Sequence, residues 1–120
     1  TVPGGGINTD DYVNLPPTTA AGQWYNVVEM TLRREIKEEV NVEIEKPEYL
    51  LDLTFIRPDN IPVLVLSYMC KYKSGEVKID NDSADTIEWA WATLEELKSY
   101  ELIDGILEEI EMVDKILHSR

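Results

Sequence analysis

Residues 27–42 read VVEMTLRREIKEEVNV, and this stretch decides most of what the sequence predicts. Apolar side chains recur at every fourth position, which predicts a helix with one buried stripe. The stripe consists of Val28, Leu32, Ile36 and Val40. Asn41 follows at a point where helices often end on a residue in the left-handed conformation, and Asn is the common choice there after Gly. We therefore predict a helix from Val27 to Val40 that ends at Asn41.

Three glutamates, Glu35, Glu38 and Glu39, lie beside this stripe within an arc of about 100°, at about 100° per residue. Like charges one turn apart repel by about 0.2–0.5 kcal/mol per pair, so the crowding costs stability unless a cation is present. Carboxylate oxygens are ligands that suit Mg²⁺ or Mn²⁺. Arg34, one turn before Glu38, can pair with it and hold the array in place. The alternative is a solvated acidic helix face, which is the common state of Glu-rich helices.

The composition indicates a single folded domain. The 120 residues carry 24 acidic and 11 basic side chains, a net charge of −13, yet 43% are hydrophobic, which is too apolar for a disordered chain. Because Lys and Arg do not cluster, we expect no binding to nucleic-acid backbones. A single cysteine, Cys70, and a single histidine, His118, exclude an intrachain disulfide and Cys-based zinc sites. We expect Cys70 to be a buried filler in its apolar run.

The sequence contains no signal-peptide pattern and no apolar run long enough to span a membrane. We therefore expect a cytoplasmic protein with no membrane partner.

The rest of the chain predicts mixed α/β structure. Alternating apolar runs and turn residues predict three strands and two shorter candidates, followed by two helices. The predicted strands are Val42–Ile44, Tyr49–Ile56 and a long Ile61–Tyr72. Turns are predicted at Pro58–Asn60 and Ser74-Gly75. The two shorter strand candidates are Glu76–Ile79 and Ile87–Trp91. Thr93 with Glu96 predicts a capping box and a helix through about Tyr100, and Asp104 begins the last helix.

Residues 7–26 mix Asn, Asp, Pro, Thr and Gly without a period, which predicts a long loop. Loops of this length in a compact domain are usually functional. Polar composition with Pro16-Pro17 favours a mobile flap. Trp24 and Tyr25, where the segment rejoins the helix, give the flap an apolar surface on which to close.

The helix carries a family resemblance. Arg34 to Val42, REIKEEVNV, resembles the second half of the Nudix box, Arg-Glu-apolar-x-Glu-Glu-x-Gly-apolar, and Pro3-Gly4-Gly5 resembles its opening. Residues 91–97, WATLEEL, look like the family's strand end and short helix. The resemblance implies one domain over residues 1–120, a Nudix-type α/β/α sandwich with a mixed β-sheet, the loop-helix-loop of the box and a C-terminal helix.

The sequence departs from the Nudix box in three places. Counting back from Arg34 puts Asn26 where the box has a glutamate, and 20 residues separate Gly5 from Asn26 where the family has five. Residues 7–26 are therefore an insertion that splits the box, and Glu29 is the nearest substitute for the missing carboxylate. Asn41 replaces Gly, a mild change. Family members also have strands before the Pro-Gly-Gly turn, so we expect these to be missing from this chain or supplied by a partner copy in a homodimer.

Family membership would imply hydrolysis of a nucleoside diphosphate linked to another group, by water attack on the pyrophosphate of a small nucleotide-type substrate, with Mg²⁺ or Mn²⁺ as cofactor. The implied metal ligands are Glu35, Glu38 and Glu39, with Glu35 either a ligand or the base that orients water and Arg34 holding it. The acidic loop of residues 80–85, before the second strand candidate, would supply a further base, Asp85, with Asp82 and Glu88 as the next candidates. Gly4 and Gly5 would let the backbone pass close to substrate, and Trp24 and Tyr25 could stack on a base or pack in their own loop.

Two other functions stay open at this point. A Nudix-fold domain that binds a nucleotide or a partner without turnover is favoured by Asn26 and the split box. An acidic interaction module that matches the family by accident is the third. Three repelling glutamates on one helix favour the metal-dependent hydrolase over both.

Overall fold

The computed structural model describes residues 2–79, 90–102 and 104–120, and its elements fall into two compact units. The α1 unit comprises residues 2–45 and 72–79, and the hairpin unit comprises residues 46–71, 90–102 and 104–120. The elements are helix α1 (Val27–Val40), strands β1 (Glu43–Ile44), β2 (Glu48–Ile56), β3 (Pro62–Met69) and β4 (Tyr72–Ser74), and helices α2 (Leu94–Leu97) and α3 (Ile106–His118). This content confirms the predicted α/β class, with the pairs of both described sheets antiparallel.

Helix α1 has the predicted bounds, and its apolar stripe builds the core of its unit. Ile36 is 7% exposed and clusters with Val42 and Ile44, while Leu32 and Val40 pack against the cluster. Asn41 ends the helix in the left-handed conformation at φ 62°, and its backbone N–H donates to the Lys37 carbonyl at 3.0 Å. The predicted bounds are therefore confirmed, and three residues of the predicted stripe, Leu32, Ile36 and Val40, lie in or against the core. Thr31, which the pattern did not include, is the most buried residue of the helix.

Strands β1 and β4 pair antiparallel and close the α1 unit beside the end of the helix. The Asn41 side-chain amide donates to the Glu76 carbonyl at 3.1 Å, and the Lys78 N–H donates to the Val40 carbonyl at 3.0 Å. Residues 76–79 thus attach to the end of α1 and form no strand. The predicted strand at Glu76–Ile79 is wrong, because these residues bond to a helix end instead of a neighbouring strand.

Gly75 is the position in this closure that tolerates a side chain least. Its φ is +104°, and a Cβ would stand 2.8 Å from the Asn41 carbonyl oxygen, a backbone atom. We expect Gly75→Ala to lower the free energy of unfolding by about 2–4 kcal/mol, of which about 1–2 kcal/mol is left-handed strain. Urea unfolding followed on the NMR signals of α1 measures this loss.

Gly22→Ala is the matched control, because Gly22 also has a positive φ, +78°, but nothing lies within 4 Å of its added Cβ. It should cost only the strain, about 1–2 kcal/mol. Equal losses in the two variants would contradict the close approach of Gly75 to Asn41.

The hairpin unit is built on strands β2 and β3, which pair from Glu48–Met69 to Ile56–Pro62. The predicted turn at Pro58–Asn60 is confirmed, with Asn60 at φ 66°. The predicted strand Ile61–Tyr72 is wrong in its length, since β3 ends at Met69 and Tyr72 already belongs to β4, paired with β1. Cys70 lies at this break and is exposed, so the prediction of a buried thiol is also wrong.

Helices α2 and α3 complete the hairpin unit. The Thr93 hydroxyl accepts from the Glu96 N–H at 3.2 Å and caps α2 as predicted, although the helix ends at Leu97 instead of near Tyr100. The last helix follows Gly105, at φ 94°. Arg120 pairs with Glu48 at 3.1 Å, and this bond lowers the pKa of the Glu48 carboxyl.

Of the predicted strand Ile87–Trp91, residues 87–89 lie outside the described residues, and residues 90–91 are in no strand. Within the described ranges, every helix is too short or too polar to cross a lipid bilayer.

The segment 7–26 contains more regular structure than the predicted loop. Thr9–Asp11 form a turn of 3₁₀ helix, and the Thr18 N–H donates to the Gln23 carbonyl at 2.7 Å. The Trp24 indole N–H donates to the Leu15 carbonyl at 2.9 Å. These bonds give the segment a shape of its own, and its movement as a flap stays a prediction.

Candidate active site

Helix α1 carries the four charged residues that the sequence predicts for the site. Their side chains differ in exposure: 19% for Glu35, 42% for Arg34 and 58% for Glu38, while Glu39 is half-buried. The core-facing stripe fixes the rotation of the helix, so these polar residues lie along the edge of the buried face.

Gly4 and Gly5, which we call the glycine turn after the motif opening that they resemble, lie in an irregular segment against this face. The Gly4 N–H donates to Glu39 Oε2 at 3.2 Å. Gly5 lies so close to Glu35 that a Cβ would stand 2.6 and 2.7 Å from its two carboxylate oxygens. The two parts of the split motif therefore meet in the α1 unit, although residues 7–26 separate them in the chain.

Arg34 connects three acids around the same face. Its Nη2 lies 2.9 Å from Asp11 Oδ1 and 3.1 Å from Glu35 Oε1, and its Nη1 lies 3.9 Å from Glu38 Oε1. The predicted pairing with Glu38 is thus the longest of the three contacts. Arg34 is a link between the acids of the helix and the inserted segment.

Asp11 is the residue that sequence reasoning missed. Its carboxylate is 9% exposed, and its Oδ2 accepts from the Asn8 N–H at 2.7 Å. The local signal, an Asn three residues before an acid, predicts the turn but gives no indication of the contact with Arg34. Only the path of the segment across α1 brings these two residues together.

The acids of the helix fit a divalent cation by type, although their present orientations do not form a coordination site. Among residues 2–79, 90–102 and 104–120, no three or more His, Cys, Asp or Glu side chains are grouped closely enough to hold a metal. Glu35 is directed to Arg34 and Glu39 to the Gly4 N–H. The donors are carboxylates on one side of one helix, the chemistry that Mg²⁺ and Mn²⁺ prefer. Of the three, Glu38 is exposed, and rotation of an exposed side chain is fast.

The two aromatic candidates of the inserted segment have different surroundings. The Trp24 ring centroid lies 5.3 Å from that of Tyr12, so Trp24 packs within its own segment. Tyr25 is 64% exposed, and its backbone N–H donates to the Thr18 hydroxyl at 3.1 Å. The acidic-loop candidates Asp82, Asp85 and Glu88 lie outside the described residues.

Comparison with protein families identifies a domain family for this chain. A family model described as the NUDIX domain matches residues 20–114. The matched range includes the whole of α1 with Arg34, Glu35, Glu38 and Glu39, and it begins after Gly5 and Asp11. No curated protein matches the chain.

Proposed function

The chain belongs to the NUDIX domain family, and from that premise we propose that it is a metal-dependent hydrolase of a nucleoside diphosphate linked to another group. The single observation that carries this proposal is the closure of the glycine turn onto Glu35 and Glu39. A binding surface needs no such contact between a backbone turn and two repelling carboxylates. The proposal includes a small nucleotide-type substrate, a cytoplasmic location and no nucleic-acid or membrane partner.

The charge of the protein supports the need for a cation. A pyrophosphate approaching a domain of net charge −13 is repelled unless divalent ions lie between the two. In the proposal Glu35, Glu38 and Glu39 hold Mg²⁺, or Mn²⁺ in its place. The bound ion supplies charge neutralisation of the pyrophosphate and of the transition state.

The residues of the chain have separate roles in this proposal. Arg34 contacts the Glu35 carboxylate, and Gly5 leaves the space that this carboxylate occupies. Glu35 is either the third ligand or the base that orients the attacking water. Gly4 donates its N–H to Glu39 and so orients that carboxylate.

Substrate binding and a further base complete the proposal. Tyr25 has an exposed ring available to stack on a nucleobase, with Trp24 beside it in the same segment. Asp85 stays the candidate for a second base.

The proposal is tested by measuring Mg²⁺-dependent release of phosphate or nucleoside monophosphate from nucleoside triphosphates, dinucleotides and nucleotide sugars. We expect turnover of at least one class, abolished by a chelator and restored by excess Mg²⁺. If no substrate of the panel is turned over while nucleotides still bind, the result would instead support a non-catalytic binding domain. Asn26, which stands where the family motif has a glutamate, favours that function.

Gly5→Ala tests the contact between the turn and the helix. The added Cβ would displace the Glu35 carboxylate, a flexible group, so we expect the fold to persist. We expect kcat to fall about 10-fold to 100-fold, the range for residues that orient a metal ligand. Gly6→Ala is the matched control, because nothing lies within 4 Å of a Cβ on Gly6. The same kcat in both variants would show that the close approach of Gly5 has no role in the reaction.

A further inference from the structure

Asp11 belongs to the inserted segment and lies outside the range matched by the family model, yet it contacts the helix that carries the site. From this contact we propose that Asp11 is a positioning residue, which holds Arg34 against Glu35 through a shielded ion pair. The inference rests on the proposed hydrolase function, because it assigns Asp11 a part in that reaction. Asp11 does not touch the substrate in this proposal, since it acts through Arg34.

The carboxylate of Asp11 is held in place by contacts within its own segment. Asp11 ends the 3₁₀ turn of residues 9–11, and its own N–H donates to the Asn8 carbonyl at 2.9 Å. Its Oδ2 in turn accepts from the Asn8 N–H at 2.7 Å. Two reciprocal bonds therefore fix both the backbone and the side chain, and Oδ1 is left directed at Arg34.

The ion pair between Asp11 and Arg34 is screened by solvent less than ordinary surface ion pairs are. The Asp11 side chain is 9% exposed, against 19% for Glu35 and 58% for Glu38, the other two acids that Arg34 contacts. An ion pair with a shielded, pre-oriented carboxylate is screened less than an exposed pair, which typically contributes little. Asp11 is therefore the partner that decides where the Arg34 guanidinium lies.

The position of the Arg34 guanidinium in turn decides the position of the Glu35 carboxylate. One nitrogen, Nη2, contacts both Asp11 and Glu35. Without Asp11, the guanidinium is free to turn toward Glu38, one helical turn away and now 3.9 Å from Nη1. Glu35 would then lose the hydrogen bond that Arg34 Nη2 donates to its carboxylate. The inserted segment thus supplies an orienting group to the motif that it interrupts.

The experiment compares Asp11→Asn with Asp10→Asn in the full chain. Asp10 is the matched control, because it is adjacent, exposed and equally charged and makes no side-chain bond to the described residues. The first measurement is ¹⁵N NMR of the Arg34 guanidinium, assigned by its loss in Arg34→Lys, since restricted rotation of that group reports whether it is held. The second measurement is kcat and KM on the substrate found in the panel.

We expect Asp11→Asn to lose the restricted Arg34 signals and to lower kcat about 10-fold to 100-fold with KM within about twofold. Asp10→Asn should change neither. Asp11→Glu keeps the charge and should restore part of kcat, a rescue that a purely structural side chain would not give.

Three results would overturn the inference. The first is restricted Arg34 signals that persist in Asp11→Asn, and the second is their loss with kcat unchanged. The third is a kcat in Asp11→Glu as low as in Asp11→Asn. If the wild-type protein hydrolyses nothing, the proposed function fails, while the Arg34 signals still decide separately whether Asp11 holds Arg34.

Discussion

Replacing Glu39 with Gln is expected to lower kcat by about 100-fold or more, equivalent to about 3 kcal/mol of transition-state stabilisation. Glu39 is a main metal ligand in the proposed mechanism, and a neutral amide binds Mg²⁺ far more weakly than a carboxylate. The amide oxygen of Gln can still accept the Gly4 N–H, which now bonds to Glu39 Oε2 at 3.2 Å. The substitution therefore removes the charge while it preserves the glycine turn.

Glu45→Gln is the control for this prediction. Glu45 is an exposed glutamate of the same unit, beyond the end of β1 and outside α1. It changes the net charge by the same amount and should leave kcat within about twofold. A wild-type rate in Glu39→Gln, measured as product release at saturating Mg²⁺, would exclude Glu39 from the chemistry.

The parts of the fold that the sequence predicted are those set by local interactions. The bounds of α1 follow from a four-residue apolar repeat and from Asn41, whose left-handed conformation needs no partner elsewhere in the chain. The cap of Thr93 on the Glu96 N–H is also local. Such features depend on residues within one or two turns, so the sequence pattern is sufficient to find them.

The errors concern the places where the chain moves from one sheet to another. The apolar run from Ile61 to Tyr72 has one continuous pattern, yet the strand ends at Met69 and Tyr72 joins β4. The partner of β4 is β1, about 30 residues earlier. Alternating hydrophobicity reports which residues are suitable for a strand but contains no information about which strand they pair with.

The candidate site likewise has parts that follow from local sequence and parts that depend on the folded chain. The three glutamates and Arg34 could be assigned to one helix face from periodicity, and the resemblance added the glycine turn. The contact of Asp11 with Arg34 could not be predicted, because it depends on how residues 7–26 cross the helix. The tight approach of Gly5 to Glu35 is likewise a property of the folded chain alone.

Loss of divalent-cation binding in Glu38→Gln/Glu39→Gln is the second large effect that we expect. The two adjacent carboxylates supply the charge that attracts the ion, and removing both leaves Glu35, which is already paired with Arg34 at 3.1 Å. A cation also relieves repulsion between the glutamates, so binding should be strong enough to detect in the millimolar range or tighter in the wild-type protein.

Removing two negative charges outside α1 provides the control for this prediction. Glu45→Gln/Glu101→Gln alters the net charge equally and leaves α1 unchanged, since both residues are exposed and lie outside the helix. Non-specific attraction of Mn²⁺ to an acidic protein would fall equally in the two double variants.

The central claim, that the glutamates of α1 form a metal site, is tested most directly by titrating Mn²⁺ into the wild-type protein and both double variants. Water-proton relaxation measures the bound ion in each case. The account predicts one saturable site in the wild-type protein and in Glu45→Gln/Glu101→Gln, and its loss in Glu38→Gln/Glu39→Gln. Equal Mn²⁺ binding by all three proteins would contradict it.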